Sequence, residues 1–106
     1  IYPNVANFIM VVGIDRFKDF NNRIHALMSQ EAQIDVQLIH FPDTEPLASM
    51  SDQRNYWYFD YPALMINDTA FVRNPNYHLP SDTIDTLDFD KMTAVVSAAY
   101  RGIVEL

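Results

Sequence analysis

Residues 8–12, Phe-Ile-Met-Val-Val, make an unbroken apolar run closed by Gly13, and this run limits the possible folds more than any other stretch. It is far too short to cross a bilayer, which takes about 20 apolar residues as a helix. A strand with one wet face alternates apolar and polar side chains, and this one does not. Ile9, Val11 and Val12 are also β-branched. The run predicts a strand over 7–13 covered on both faces, the central strand of a layered sheet.

The segments after Gly13 supply the layers. Asp15 offers a helix cap, and Phe17, Phe20, Ile24, Leu27 and Met28 fall at spacings of three and four. That spacing predicts an amphipathic helix ending near Gln30. Residues 34–41 read as a second strand, with Ile34, Val36 and Leu38 alternating against Asp35 and Gln37; His40 near its end reads as a surface or edge residue. Pro42 and Pro46 break the chain into a loop. Residues 51–57 then begin a short helix, with Ser51 as its cap. The aromatic residues Tyr56, Trp57, Tyr58, Phe59 and Tyr61 are expected to pack in the core against the next strand, with the wall of a substrate side-chain pocket as the other reading. A third strand is expected over 63–66. Asp88 caps a last helix whose apolar stripe is Met92, Val95, Val96, Ala99 and Ile103.

The order β-α-β-α-β-loop-α points to an α/β fold, a sheet with helices packed on it. All of 1–106 is expected to be one partial domain. With part of a larger sheet missing, an edge or face would be left bare, and self-association is expected through it.

Composition removes several classes. Fourteen acidic residues against 7 basic ones give a net charge of -7, the wrong sign for gripping a nucleic-acid backbone. There is no cysteine, so neither a disulfide framework nor a thiolate metal site is available. No signal or transmembrane pattern occurs in the chain, which leaves its compartment open. It begins Ile1-Tyr2-Pro3 without an initiator Met, so a fragment of a longer protein is expected.

Between the third strand and the last helix lies a polar connection far longer than the usual 4–6 residues or so, and long loops are often functional. It holds His78, with Asp82 four residues on. An imidazole with a nearby carboxylate suits a metal ligand and its supporting group. A lone histidine in a loop is also commonly a surface residue.

The same stretch carries a resemblance. Asp68-Thr69-Ala70-Phe71, Arg73-Asn74-Pro75, Tyr77-His78, Asp82-Thr83 and Asp85-Thr86-Leu87-Asp88-Phe89 resemble the last ligand block of the di-zinc aminopeptidases, a family that also holds glutamate carboxypeptidase and glutaminyl cyclase relatives. The resemblance runs from about Asn7 to Leu106 and covers only the C-terminal part of the family's domain. It implies a three-layer zinc-exopeptidase-like sheet with flanking helices.

It also implies a parent that removes N-terminal residues from peptides with two zinc ions, held by two histidines and three carboxylates, with a glutamate as base. His78 falls on the final zinc ligand. Arg73 and Tyr77 precede it and would lie near the substrate cleft. Asp82 would orient an imidazole or the loop, and an Asx turn before Thr83 is its alternative role. Arg73 has an alternative too, tying the loop by salt bridges to Asp82 or Asp85. Gln53 stands where the family usually has His in a Ser-Asp-His run, which puts any substrate-orienting role there in doubt. His25 and His40 lie in no comparable motif. One imidazole cannot hold zinc specifically, so no zinc and no activity are expected of this segment alone. A non-catalytic family member, or an interaction module on the same fold, stands as the alternative.

Overall fold

The computed structural model describes residues 7–31 and 33–106, so part of the domain expected over 1–106 lies outside the described residues. Strand β1 (Phe8–Ile14) is buried at every position, as its two-sided apolar character requires. β2 (Asp35–Phe41) pairs with it in parallel, from Phe8 opposite Asp35 to Ile14 opposite Phe41. β3 (Met65–Asn67) pairs with its other side in antiparallel sense, Val11 opposite Ile66. The order β2-β1-β3 places the expected strand at the centre. β3 is shorter than the expected third strand and starts later.

Helix α1 (Lys18–Met28) crosses from β1 to β2, and α3 (Phe89–Val104) packs beside it on the same face. Ile9, Val11, Val36, Ile24, Met28, Ala94 and Ala98 make that core. The other face of β1 carries Phe8, Met10 and Val12, packed with Ile39, Phe41 and Met65. A third cluster at the C-terminal end of β1 joins Ile14, Ala48 and Trp57, the last from helix α2 (Gln53–Tyr58). The protein is therefore mixed α/β, a three-stranded sheet with flanking helices.

Four expectations are corrected. Asp15 does not cap α1: it opens a 3-10 turn (Asp15–Phe17), and no side chain caps the helix itself. Ser51 does not cap α2, whose cap position is Asp52, again without a side-chain bond. Of the aromatic cluster only Trp57 is buried; Tyr56, Tyr58, Phe59 and Tyr61 are exposed. The stripe on α3 is only partly inward: Val95 packs against the core, but Met92, Val96 and Ile103 face outward, and Ala94, Ala98 and Gly102 are buried instead. Small side chains let α3 lie close on α1, where a Cβ added to Gly102 would sit 3.0 Å from Met28 Cγ. Asp88 does cap α3, its carboxylate accepting from Lys91 N at 3.0 Å.

Candidate functional site

The long connection leaves β3 through an unusual backbone. Thr69 has φ 74° and Ala70 φ 45°, left-handed values that non-glycine residues rarely adopt, least of all a β-branched one. Each such residue costs about 1–3 kcal/mol and persists only where its surroundings hold it. The preceding side chains supply part of that hold. Asn67 Oδ1 accepts from Thr69 N at 2.7 Å, and Asp68 Oδ1 accepts from Ala70 N at 2.8 Å. Successive Asn and Asp residues favour this pattern, each bonding the backbone two residues on.

Arg73 completes the arrangement. Its Nε donates to Thr69 Oγ1 at 2.7 Å and to Asp68 O at 3.1 Å. Its Nη2 donates to Asp68 O at 2.7 Å and to Phe8 O at 3.2 Å. The guanidinium carbon lies 3.8 Å from the centre of the Phe8 ring. Among the described residues the loop is thus tied through backbone carbonyls and a hydroxyl, and not through the salt bridges to Asp82 or Asp85 expected as one alternative.

Beyond Arg73 the chain runs through further turns. Asn74 Oδ1 accepts from Asn76 N at 2.9 Å, and Tyr77 N donates to Asn74 O at 3.2 Å. His78 comes next with φ 56°, a left-handed conformation for which histidine is several-fold enriched. Its exposed ring stacks on Tyr77, with centroids 3.9 Å apart and planes 15° apart. Tyr77 also tilts against Phe71 at 6.1 Å. The Asp82 carboxylate, exposed, makes no hydrogen bond among the described residues, so it closes neither an Asx turn nor a bond to His78; only its backbone N is engaged, on Leu79 O at 3.0 Å.

A cleft of about 460 Å³ opens between the start of β1, this loop and the first turns of α3. Phe8, Arg73, Asn76, Asp88, Lys91 and Val95 are among its walls, whereas Tyr77, His78 and Asp82 are not. The structure therefore brings Tyr77 and His78 together, sets Arg73 at the cleft, and among the described residues bonds the Asp82 carboxylate to none of them.

Gln53 and the other histidines are held locally. Gln53 is buried, and its Nε2 donates to Ala48 O at 2.7 Å, a structural tie between α2 and the turn before it. His25 Nε2 lies 2.8 Å from Val36 O. His40 sits on the edge strand, as expected, but its Nε2 is enclosed without a partner among the described residues.

Zinc does not fit the described residues on their own. No three His, Cys, Asp or Glu side chains among them converge. A protein zinc site takes about three or four ligands, and His78 offers one exposed imidazole. The residues that reasoning on the sequence missed are Asn67, Thr69 and Phe8. The Asn67-Asp68 pair was the available signal for the turn, but no pattern announces a carbonyl on β1 as an arginine's partner.

No family model matches the chain. It is similar to "Uncharacterized protein YfbL" of Escherichia coli (strain K12), 43% identical over 108 residues that take in 100% of this chain and 32% of that protein. Among solved structures it is similar to the LapA aminopeptidase of Legionella pneumophila. The TM-score is 0.72 at 26% identity, over 98% of this chain and 28% of that one. The chain thus spans about a third of the curated relative it matches, and it is folded like a portion of an aminopeptidase.

Proposed function

We propose that this chain is the C-terminal portion of a zinc aminopeptidase domain, whose parent hydrolyses N-terminal residues from peptides. The likeness to LapA aminopeptidase over nearly the whole chain carries this reading. The order Arg73, Tyr77, His78, Asp82 supports it, since that order resembles the last ligand block of di-zinc aminopeptidases. In this reading His78 supplies one ligand to a two-zinc centre whose other ligands and base lie in the parent outside this chain. By itself the chain neither retains zinc nor turns over peptide.

The test compares this chain with a longer protein that carries it, by metal analysis and an aminoacyl-anilide assay. The longer protein is expected to hold zinc, to hydrolyse the anilide and to lose activity on chelation. His78→Ala there should weaken one metal by more than the roughly 10–100-fold typical of losing a supporting hydrogen-bond partner. Turnover unaffected by His78→Ala refutes the role of His78, and stoichiometric zinc in the short chain refutes the ligand count.

A second reading, an interaction module on the same fold, is favoured by the exposed Met92, Val96, Tyr100 and Ile103 on α3. Association of the chain in light scattering, with a longer protein that binds no zinc, would select it.

A further inference from the structure

We propose that Arg73 is a positioning residue for His78, fastening the loop that carries the Tyr77–His78 stack onto the start of β1. The bearing of this on activity rests on the aminopeptidase reading; the positioning itself rests on geometry.

The guanidinium ties the departing loop to the central strand just past the last β1–β3 pair, Met10 opposite Asn67. Nε reaches Thr69 Oγ1 and Asp68 O, at the left-handed pair where the loop departs from β3. Nη2 reaches Asp68 O as well, and with it Phe8 O at the first residue of the central strand. Phe8 is 5% exposed, so this anchor is set in the core, and its ring lies under the guanidinium.

The left-handed Thr69 and Ala70 need such a hold, since neither is a glycine. From there a series of short-range bonds leads to the histidine. Arg73 N and Asn74 N both donate to Ala70 O, at 3.1 and 2.9 Å. Asn74 O receives Tyr77 N, and the Tyr77 ring carries His78. Release at Arg73 frees the first link of this series. Lysine cannot replace the arginine here, because a single ammonium does not present a planar fork to two acceptor groups at once.

The stack offers a direct readout. Aromatic rings lying face to face displace each other's proton resonances, so the carbon-bound imidazole protons of His78 report whether Tyr77 lies beneath them. Tyr77→Leu defines the unstacked position. In the 106-residue chain, Arg73→Met is expected to move the His78 signals to that position while the methyl signals of Val11 and Val36 stay in place. Arg73→Lys is expected to fail to restore the stack.

Arg16→Met is the control. Arg16 likewise ties separate segments, through Asp43, Asp60 and Trp57 O. Its loss is expected to leave His78 unchanged, which a merely general loosening would not. Should Arg73→Met not fold, Thr69→Val, which removes the hydroxyl acceptor, is expected to shift His78 in the same direction. An undisturbed His78 in whichever of these variants folds overturns the proposal, and so does an equal disturbance by Arg16→Met. An inert His78→Ala in the longer protein would sink the zinc reading and leave this result standing.

Discussion

The Gly13→Ala substitution isolates one close approach in the core. A Cβ on Gly13 would lie 2.1 Å from Asn21 Nδ2, 2.5 Å from its Cγ and 2.8 Å from its Oδ1. Asn21 has no room to retreat: it is fully buried on α1, and its Nδ2 donates to Ile14 O at 3.2 Å. The clash carries two costs. Forcing a methyl into a packed site costs about 1–3 kcal/mol. Driving the amide off Ile14 O leaves the buried Asn21 Nδ2 without its acceptor, about 1–3 kcal/mol more. The expected loss of about 2–6 kcal/mol is a large part of the roughly 5–15 kcal/mol that holds a domain together.

Urea denaturation followed by circular dichroism measures it, with Gly102→Ala for comparison. There the methyl presses only on Met28 Cγ, at 3.0 Å, with Ile24 Cγ2 and Met28 Sδ at ordinary contact distances of 3.7 and 3.8 Å. Methionine adapts, and replacing a helical glycine gains about 1 kcal/mol, so the net change should stay below about 1 kcal/mol. Asn21→Ala removes the obstacle, so the double variant Gly13→Ala/Asn21→Ala should cost less than the sum of the singles by at least about 1 kcal/mol. Strict additivity, or a Gly13→Ala protein as stable as the parent, would refute the clash.

Two simpler substitutions test the packing account. Trp57→Ala removes the one buried ring of the aromatic cluster together with its bond to Ala63 O at 2.8 Å, and should cost about 3–5 kcal/mol in the same titration. Asp88→Ala removes the only side-chain cap among the described α-helices and should cost about 1 kcal/mol, with loss of helical signal confined to the first turns of α3 by NMR.

The central strand, the element order and the inward face of α1 were legible because each rests on local pattern alone. An apolar run without alternation has no wet side, and Ile24 and Met28 recur at the helical period. Asn21 shows where pattern stops. It lies in the buried stripe of α1 although it is polar, because Gly13 leaves space above it and Ile14 O accepts its amide. The loop was partly legible for the same reason. Asn67-Asp68 and Asn74-Pro75 are turn signals, but a left-handed Thr69 runs against its own preference and is held by Asn67 and by an Arg73 anchored far away in the chain. The hold of Arg73 on Phe8 O spans 65 positions and engages a backbone atom, which side-chain chemistry alone does not reveal.

Helix α3 shows how a correct period can select the wrong face. Two stripes compete along it at the same spacing. One is large and apolar, with Met92, Val96 and Ile103; the other is small, with Ala94, Ala98 and Gly102. Transfer energetics favour burying the first, at about 25 cal/mol per Å² of apolar surface. Geometry favours the second, because α1 must share the same face of the sheet, and a helix edged with alanine and glycine can lie close beside it. Close approach brings Ala94, Ala98 and Gly102 against Ile24 and Met28 of α1, and many small dispersion gains then add up. The larger stripe is left outward at a cost that a rule of hydrophobic periodicity does not register. What decides the face is the shape of the neighbouring element, which no window of sequence around α3 contains.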